Sequence, residues 1–277
     1  MREFAYDHTS KSWDAKFLVS QADSKVLATR PQNSYGTRFV LGEFSVHNRS
    51  GGAAVVGIGG RIPVSLWSFG FWDDSAYAAG TVYADDTTDA QDAGTGDVNL
   101  DTVSTNDDGF VIGCDIPFSI ASLNISQASA SGTAWKLYYS IASAGDGFSS
   151  NFTEITNAYV APDFSATGEK LIWFEPPTDW AKVAAATAVA NKHGLTVPSQ
   201  YLILVKSTTA PDTTRGAMSL ATLGRMLMTT EAVADNSILN NIGGVEIPLP
   251  PQCDAICAAI SVANSQNRAS VNWRYAG

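Results

Sequence analysis

Apolar side chains in this chain recur at every second position in short runs, and runs of that period fold as half-buried β-strands. Ile116, Phe118 and Ile120 alternate in this way, as do Trp135, Leu137, Tyr139 and Ile141. Near the end, Ile256, Ala258, Ile260 and Val262 alternate, and then Val271, Trp273 and Tyr275. Gly-, Ser-, Thr- and Asp-rich connections separate the runs at spacings of about ten residues, the rhythm of a sandwich or jelly roll. No fixed-period repeat is present, which excludes a solenoid. The expected fold class is therefore all-β and mainly antiparallel, a β-sandwich or jelly roll.

Local cues refine that expectation. Arg38–His47 reads as a strand with Val40, Phe44 and Val46 on one face, and residues 53–58 form a second run closed by Gly59 and Gly60. After Ile120 the apolar positions change phase to Leu123 and Ile125, which predicts a β-bulge near Ala121 and Ser122. Leu171–Phe174 and Tyr201–Val205 are apolar on both faces and read as central strands. One short Ala-rich helix is expected over residues 180–191: Pro176 and Pro177 stop the preceding strand, Thr178 suits the N-cap, and Lys192-His193-Gly194 supplies a stop. The polar stretch Asn264–Arg268 predicts a hairpin joining the last two strands. Residues 1–36, polar and punctuated by Pro31, Asn33 and Gly36, read as an extended N-terminal arm. The change in charge and regularity then divides the rest into a β-rich subdomain with acidic loops (37–110) and a β-sandwich domain (111–277).

Charge excludes several functions. The 277 residues carry 17 Lys and Arg against 27 Asp and Glu. No Lys or Arg occurs between Arg61 and Lys136, a stretch holding eleven Asp residues, so nearly all the net charge of −10 resides there. Duplex nucleic acid is an unsuitable partner for such a chain, because neutralising phosphates needs clustered cations. No apolar run approaches the 18 residues of a membrane span. The opening Met1–His8 lacks an apolar h-region, so a secretory signal is not expected. The glycosylation-like triplets at Asn48, Asn124 and Asn151 are then chance matches. Cys114, Cys253 and Cys257 are too few and too poorly spaced for a disulfide scaffold or a zinc site.

Catalytic signals are sparse. The chain has no nucleophile elbow and no H-E-x-x-H, and Gly57-Ile58-Gly59-Gly60-Arg61-Ile62 lacks the last glycine of a dinucleotide fingerprint. His8, His47 and His193 lie in unrelated contexts. Two clusters remain as candidates. Trp67, Phe71, Trp72 and Tyr77 form an aromatic group suited to a partner or a glycan. Asp85, Asp86, Asp89 and Asp92 fall within eight residues beside Thr87, Thr88 and Gln91, an oxygen-rich loop of the kind Ca²⁺ prefers, though without EF-hand order. Calcium is the one cofactor this suggests. Two of these carboxylates beside aromatic platforms would also suit glycoside hydrolysis.

From residue 135 a run of motifs follows in a set order. Trp135-Lys136-Leu137-Tyr138-Tyr139 precedes the loop Ala144-Gly145-Asp146-Gly147. Next come Phe164–Gly168 leading into Leu171-Ile172-Trp173-Phe174, the turn Pro176-Pro177-Thr178-Asp179-Trp180, and Tyr201–Val205. This order resembles β-sandwich modules of tailed-bacteriophage virions. The text of Tyr83–Asp92, Asp107–Phe110 and Val271–Gly277 has the same character, so the resemblance covers residues 80–277. It implies a capsid decoration, cement or head-fibre protein without catalytic residues. Such a protein is made in the host bacterial cytoplasm, binds the major capsid protein on the capsid exterior, and self-associates as a homo-oligomer. A trimer would match the three-fold positions of an icosahedral shell. The alternatives are a tail or fibre protein whose aromatic cluster binds host glycans, and a carbohydrate-active enzyme.

Overall fold

The computed structural model describes residues 11–16, 23–29, 38–66, 68–72, 83–94, 98–101, 108–130, 133–142, 151–156, 158, 162–184, 199–209, 214–240, 246–261 and 267–276. In chain order these form β1 (Lys11–Lys16), β2 (Asp23–Thr29), β3 (Arg38–His47), β4 (Ala54–Val64), β5 (Ser68–Trp72), β6 (Tyr83–Asp85), α1 (Thr87–Gln91), β7 (Val98–Asn99), β8 (Gly109–Cys114) and β9 (Ile120–Gln127). There follow β10 (Trp135–Ser140), β11 (Phe152–Glu154), β12 (Gly168–Trp173), β13 (Lys182–Ala184), β14 (Ser199–Ser207), β15 (Ala217–Val233), β16 (Ile238–Asn240), β17 (Ile247–Pro248), β18 (Ala255–Ile260) and β19 (Arg268–Ala276). Every pairing whose register is resolved is antiparallel. The all-β expectation holds.

The chain divides into two compact units. The first comprises Met1–Pro63 and Met226–Gly277, and the second is the intervening Val64–Arg225. This differs from the boundaries at 36 and 110 read from the sequence. Ile112, placed in the later domain by that reading, pairs with Phe69 of the earlier one across the expected boundary, and both are wholly buried in the second unit. Composition changes there, but strand pairing ignores composition. The expected arm is also corrected: β1 pairs with β19 and β2 pairs with β18, so the N-terminal segment supplies a strand to each sheet of the first unit.

The first unit is a sandwich. One sheet runs β1-β19-β3-β16, with β17 also on β3, and the other contains β4, β18 and β2. Leu41, Phe44, Val46, Leu239, Ala269 and Val271 from the former meet Val56, Ile58, Ile256, Ala258 and Ile260 from the latter. The last two strands are therefore not a hairpin. They belong to opposite sheets and touch through side chains, because alternation reports the buried face and not the hydrogen-bonding neighbour. The expected parity of β3 is likewise interrupted. Phe44 pairs with Val271 and Leu41 with Trp273, so two residues, Gly42 and Glu43, oppose the single Asn272. That bulge turns Leu41, rather than Val40, into the core beside Phe44.

The second unit is also a sandwich. Its larger sheet runs β11-β10-β14-β8-β5-β6 with β13 on β14; β12, β9 and the first half of β15 form the other, with β7 on β15. Phe69, Phe110, Ile112, Leu137, Ile203 and Val205 pack against Leu123, Ile125, Ile172, Met218 and Leu223. Tyr201–Val205 is central as expected, flanked by β10 and β8. Leu171–Phe174 is not: β12 pairs only with β9 among the described residues. The phase change after Ile120 is no bulge on β9, whose register with β12 is continuous from Ile120 to Ile125. It marks the strand's beginning, since Phe118 reaches the core from the preceding loop and Ala121 and Leu123 reach it from the strand.

The Ala-rich segment departs most from expectation. Lys182–Ala184 is β13, in register with Ser199–Tyr201, and residues 185–191 of the expected helix lie outside the described residues. Trp180 and Ala181 explain the strand. The Ala181 N–H donates to the Ser140 carbonyl at 3.0 Å, and the Ser140 hydroxyl returns a bond to the Ala181 carbonyl at 2.7 Å. Tertiary hydrogen bonding overrides alanine's helix propensity there.

Candidate functional site

The two clusters singled out in the sequence meet at one corner of the second unit. β6 pairs with β5 so that Asp85 lies opposite Gly70 and Ala84 opposite Phe71, which lays the acidic loop along the aromatic strand. The loop is fastened by backbone groups: the Asp86 N–H donates to the Phe69 carbonyl at 2.9 Å, and the Phe69 N–H donates to Thr87 Oγ1 at 2.9 Å. Gln91 Nε2 reaches the Leu66 carbonyl at 2.7 Å, and Ala90 plugs into the core.

Among the described residues of this strand the aromatic side chains serve packing. Phe69 stacks on Phe110 with centroids 5.2 Å apart, and Phe71 is half-buried on the same side of β5. Trp72 points the opposite way, is fully buried, and lies beneath the Lys206 ammonium, 5.5 Å from the ring centroid. A wholly buried indole offers no surface to a sugar, so Trp72 is corrected from a binding residue to a packing one. Trp67 and Tyr77 lie outside the described residues.

The carboxylates have local work. Asp85 Oδ1 accepts from both the N–H and the hydroxyl of Thr87, and Asp92 Oδ1 accepts the Gly94 N–H at 2.9 Å. Burial pushes the Asp86 carboxyl above the usual range, aided by the charges of Asp89 and Asp85 and opposed by a hydrogen bond from the Phe71 backbone. Among the described residues no group of three or more His, Cys, Asp or Glu is arranged to hold a metal. The geometry thus presents Asp85 and Asp92 to solvent as parts of an acidic corner rather than as an assembled cation site.

Charge is segregated between the units. The second unit carries 7 Lys and Arg against 18 Asp and Glu, a net −11, whereas the first carries 10 against 9, a net +1. The acidic stretch is visible in the sequence, whereas the near-neutral unit is a single folded body only because the chain's two ends build it together.

Sequence reasoning missed two further features of the second unit. Asp101 is fully buried and ties two segments together, accepting the Ser129 hydroxyl and the Gly216 N–H, each at 2.8 Å. Burial raises its carboxyl above the usual value, against the pull of those bonds and of Arg215. At another place Trp180 closes the core. Its ring meets Phe118, Phe174 and Tyr201 edge-on at centroid distances of 5.2, 5.9 and 5.5 Å. Its Nε1 donates to Ser140 Oγ and the Leu202 carbonyl, and the neighbouring Asp179 accepts the Tyr139 hydroxyl at 2.9 Å. The Asp179-Trp180 turn was visible as a motif, but its role as a plug depends on partners 40 residues upstream and 22 downstream.

No family model matches the chain, and no curated protein matches it. Among solved structures it is similar to a chain of "Structure of infectious bursal disease virus Gx strain", with 11% identity, 97% of this chain and 79% of that chain covered, and a TM-score of 0.20. That likeness is too slight to carry an argument.

Proposed function

We propose that the chain is a structural protein of a tailed-bacteriophage virion, attached to the outer capsid surface through the major capsid protein and reinforcing the shell as a homo-oligomer. The observation that supports this most is the division into two β-sandwich units of contrasting charge, a near-neutral one built from both chain ends and an acidic one between them. A near-neutral sandwich approaches a protein shell without long-range repulsion, while an acidic unit keeps the particle soluble and away from packaged nucleic acid. The motif order from Trp135 to Val205, which resembles phage virion modules, supports the same reading. In it the protein is made in the host cytoplasm and resides on the capsid exterior.

Cosedimentation of the purified chain with assembled shells lacking it tests the proposal. Saturable binding at a fixed copy number per shell is the expected result. A folded chain that leaves the shells bare would refute it.

A further inference from the structure

The chain builds its two units in different ways. The second is one uninterrupted stretch, Val64–Arg225, and every residue of its buried core lies between Leu66 and Leu223. The first is made from two pieces, Met1–Pro63 and Met226–Gly277, which the whole of the second unit separates along the chain. The later piece fills the middle of both sheets. β19 lies between β1 and β3, and β18 lies between β2 and β4. Among the described residues β1 has no strand partner except β19, and β2 none except β18. β18 and β19 also bring Ile256, Ala258, Ile260, Ala269 and Val271 to the core, where they meet Leu41, Phe44, Val46, Val56 and Ile58 of the earlier piece. The residues before Val64 therefore complete neither sheet nor core until β18 and β19 arrive.

Bringing the two pieces together has an entropic cost set by what lies between them. A flexible loop of roughly 160 residues makes the meeting of its ends rarer by a factor on the order of 10³. A folded second unit removes that penalty. The chain enters it on β4 and leaves it on β15, and these two strands are neighbours in one sheet. The converse does not hold, because the second unit has its core within its own stretch. We infer that the first unit is a conditional fold: the β18–β19 segment closes it like a strap only while the second unit is folded, and the strap opens without disturbing the second unit. The dependence runs one way. Opening also frees β1 and β2 and bares one edge each of β3 and β4. This property belongs to the free chain and does not rest on attachment to a shell.

Hydrogen exchange read by mass spectrometry on the full chain, in rising urea below the unfolding midpoint, tests this, because each cooperative unit opens with its own free energy. In wild type the amides of β18 and β19 should exchange together in an opening that leaves those of β8 and β14 protected. Asp254→Ala removes the carboxylate that Arg61 holds in the first unit. It should raise exchange in β18 and β19 by roughly a hundredfold and leave β8 and β14 unchanged. Trp180→Ala, in the second unit, should raise exchange in β8 and β14 by roughly a hundredfold or more, and β18 and β19 should be no better protected than they are. If that variant leaves the second unit unfolded, β18 and β19 should exchange freely as well. Three results overturn the inference: β18 and β19 staying protected while β8 and β14 exchange, a single opening that releases both units together in wild type, or Asp254→Ala raising exchange in both units alike.

Discussion

Replacing Trp180 by alanine should cost the second unit about 4 kcal/mol, near the middle of the range for truncating a buried aromatic. The structure accounts for that size. Trp180 is almost wholly buried, and hiding an indole of some 200 Å² at about 25 cal/mol per Å² is worth about 5 kcal/mol as an upper bound. The three edge-on ring contacts and the two Nε1 hydrogen bonds are lost with it, and Ser140 Oγ and the Leu202 carbonyl lose their shared donor. Partial collapse of Phe118 and Phe174 into the space returns some of the loss. Trp180→Phe separates the terms: it keeps a ring among the three neighbours but removes both hydrogen bonds, and should cost about 2 kcal/mol. Urea titration followed by circular dichroism and intrinsic fluorescence measures both. A cost below about 1 kcal/mol for Trp180→Ala, within the range of ordinary surface changes, would refute the plug.

Three further outcomes follow from particular contacts. Asp101 has its carboxyl raised by burial, so the stability it contributes is fully present below its unfolded value and lost as pH rises through the higher folded one. Asp101→Asn should flatten that decline, measured as unfolding free energy at acidic and neutral pH; an unchanged slope would contradict it. In the first unit Arg61 Nε and Nη2 donate to the Asp254 carboxylate at 3.0 and 2.9 Å, with the Arg61 side chain 8% exposed and that of Asp254 29%. Asp254→Ala should therefore destabilise by about 3 kcal/mol by removing the carboxylate that faces a buried cation, and Arg61→Met by clearly less; the reverse order in thermal melts would sink the argument. A methyl group on Gly113 would stand 2.1 Å from Gln200 Oε1 and 2.2 Å from Ser68 Oγ, whereas one on Gly52 meets nothing within 4 Å. Gly113→Ala should cost about 1–3 kcal/mol by overpacking and Gly52→Ala little, by denaturant midpoint; equal effects would be inconsistent with the packing.

What the sequence made legible was whatever depends on the pleat. Alternation at Trp135-Leu137-Tyr139 and at Ile256-Ala258-Ile260 identified strands and their buried faces, and the two-sided apolar run at Tyr201–Val205 identified a central one. What it concealed depends on partners far away in the chain. The final two strands sit in opposite sheets, and the polar N-terminal segment is sheet rather than arm because β18 and β19 accept its pairing. Residues 182–184 are extended because β14 lies beside them. The acidic loop and the aromatic strand were each visible, but not that Asp86 hangs from the Phe69 carbonyl.

The central claim, attachment to the outside of a capsid, is most directly tested by a cryo-EM difference map between particles assembled with and without this chain. The account predicts added density on the outer shell surface, at symmetry-related positions and with a fixed copy number per shell. Density confined to the tail, or none on particles that contain the chain, would contradict it.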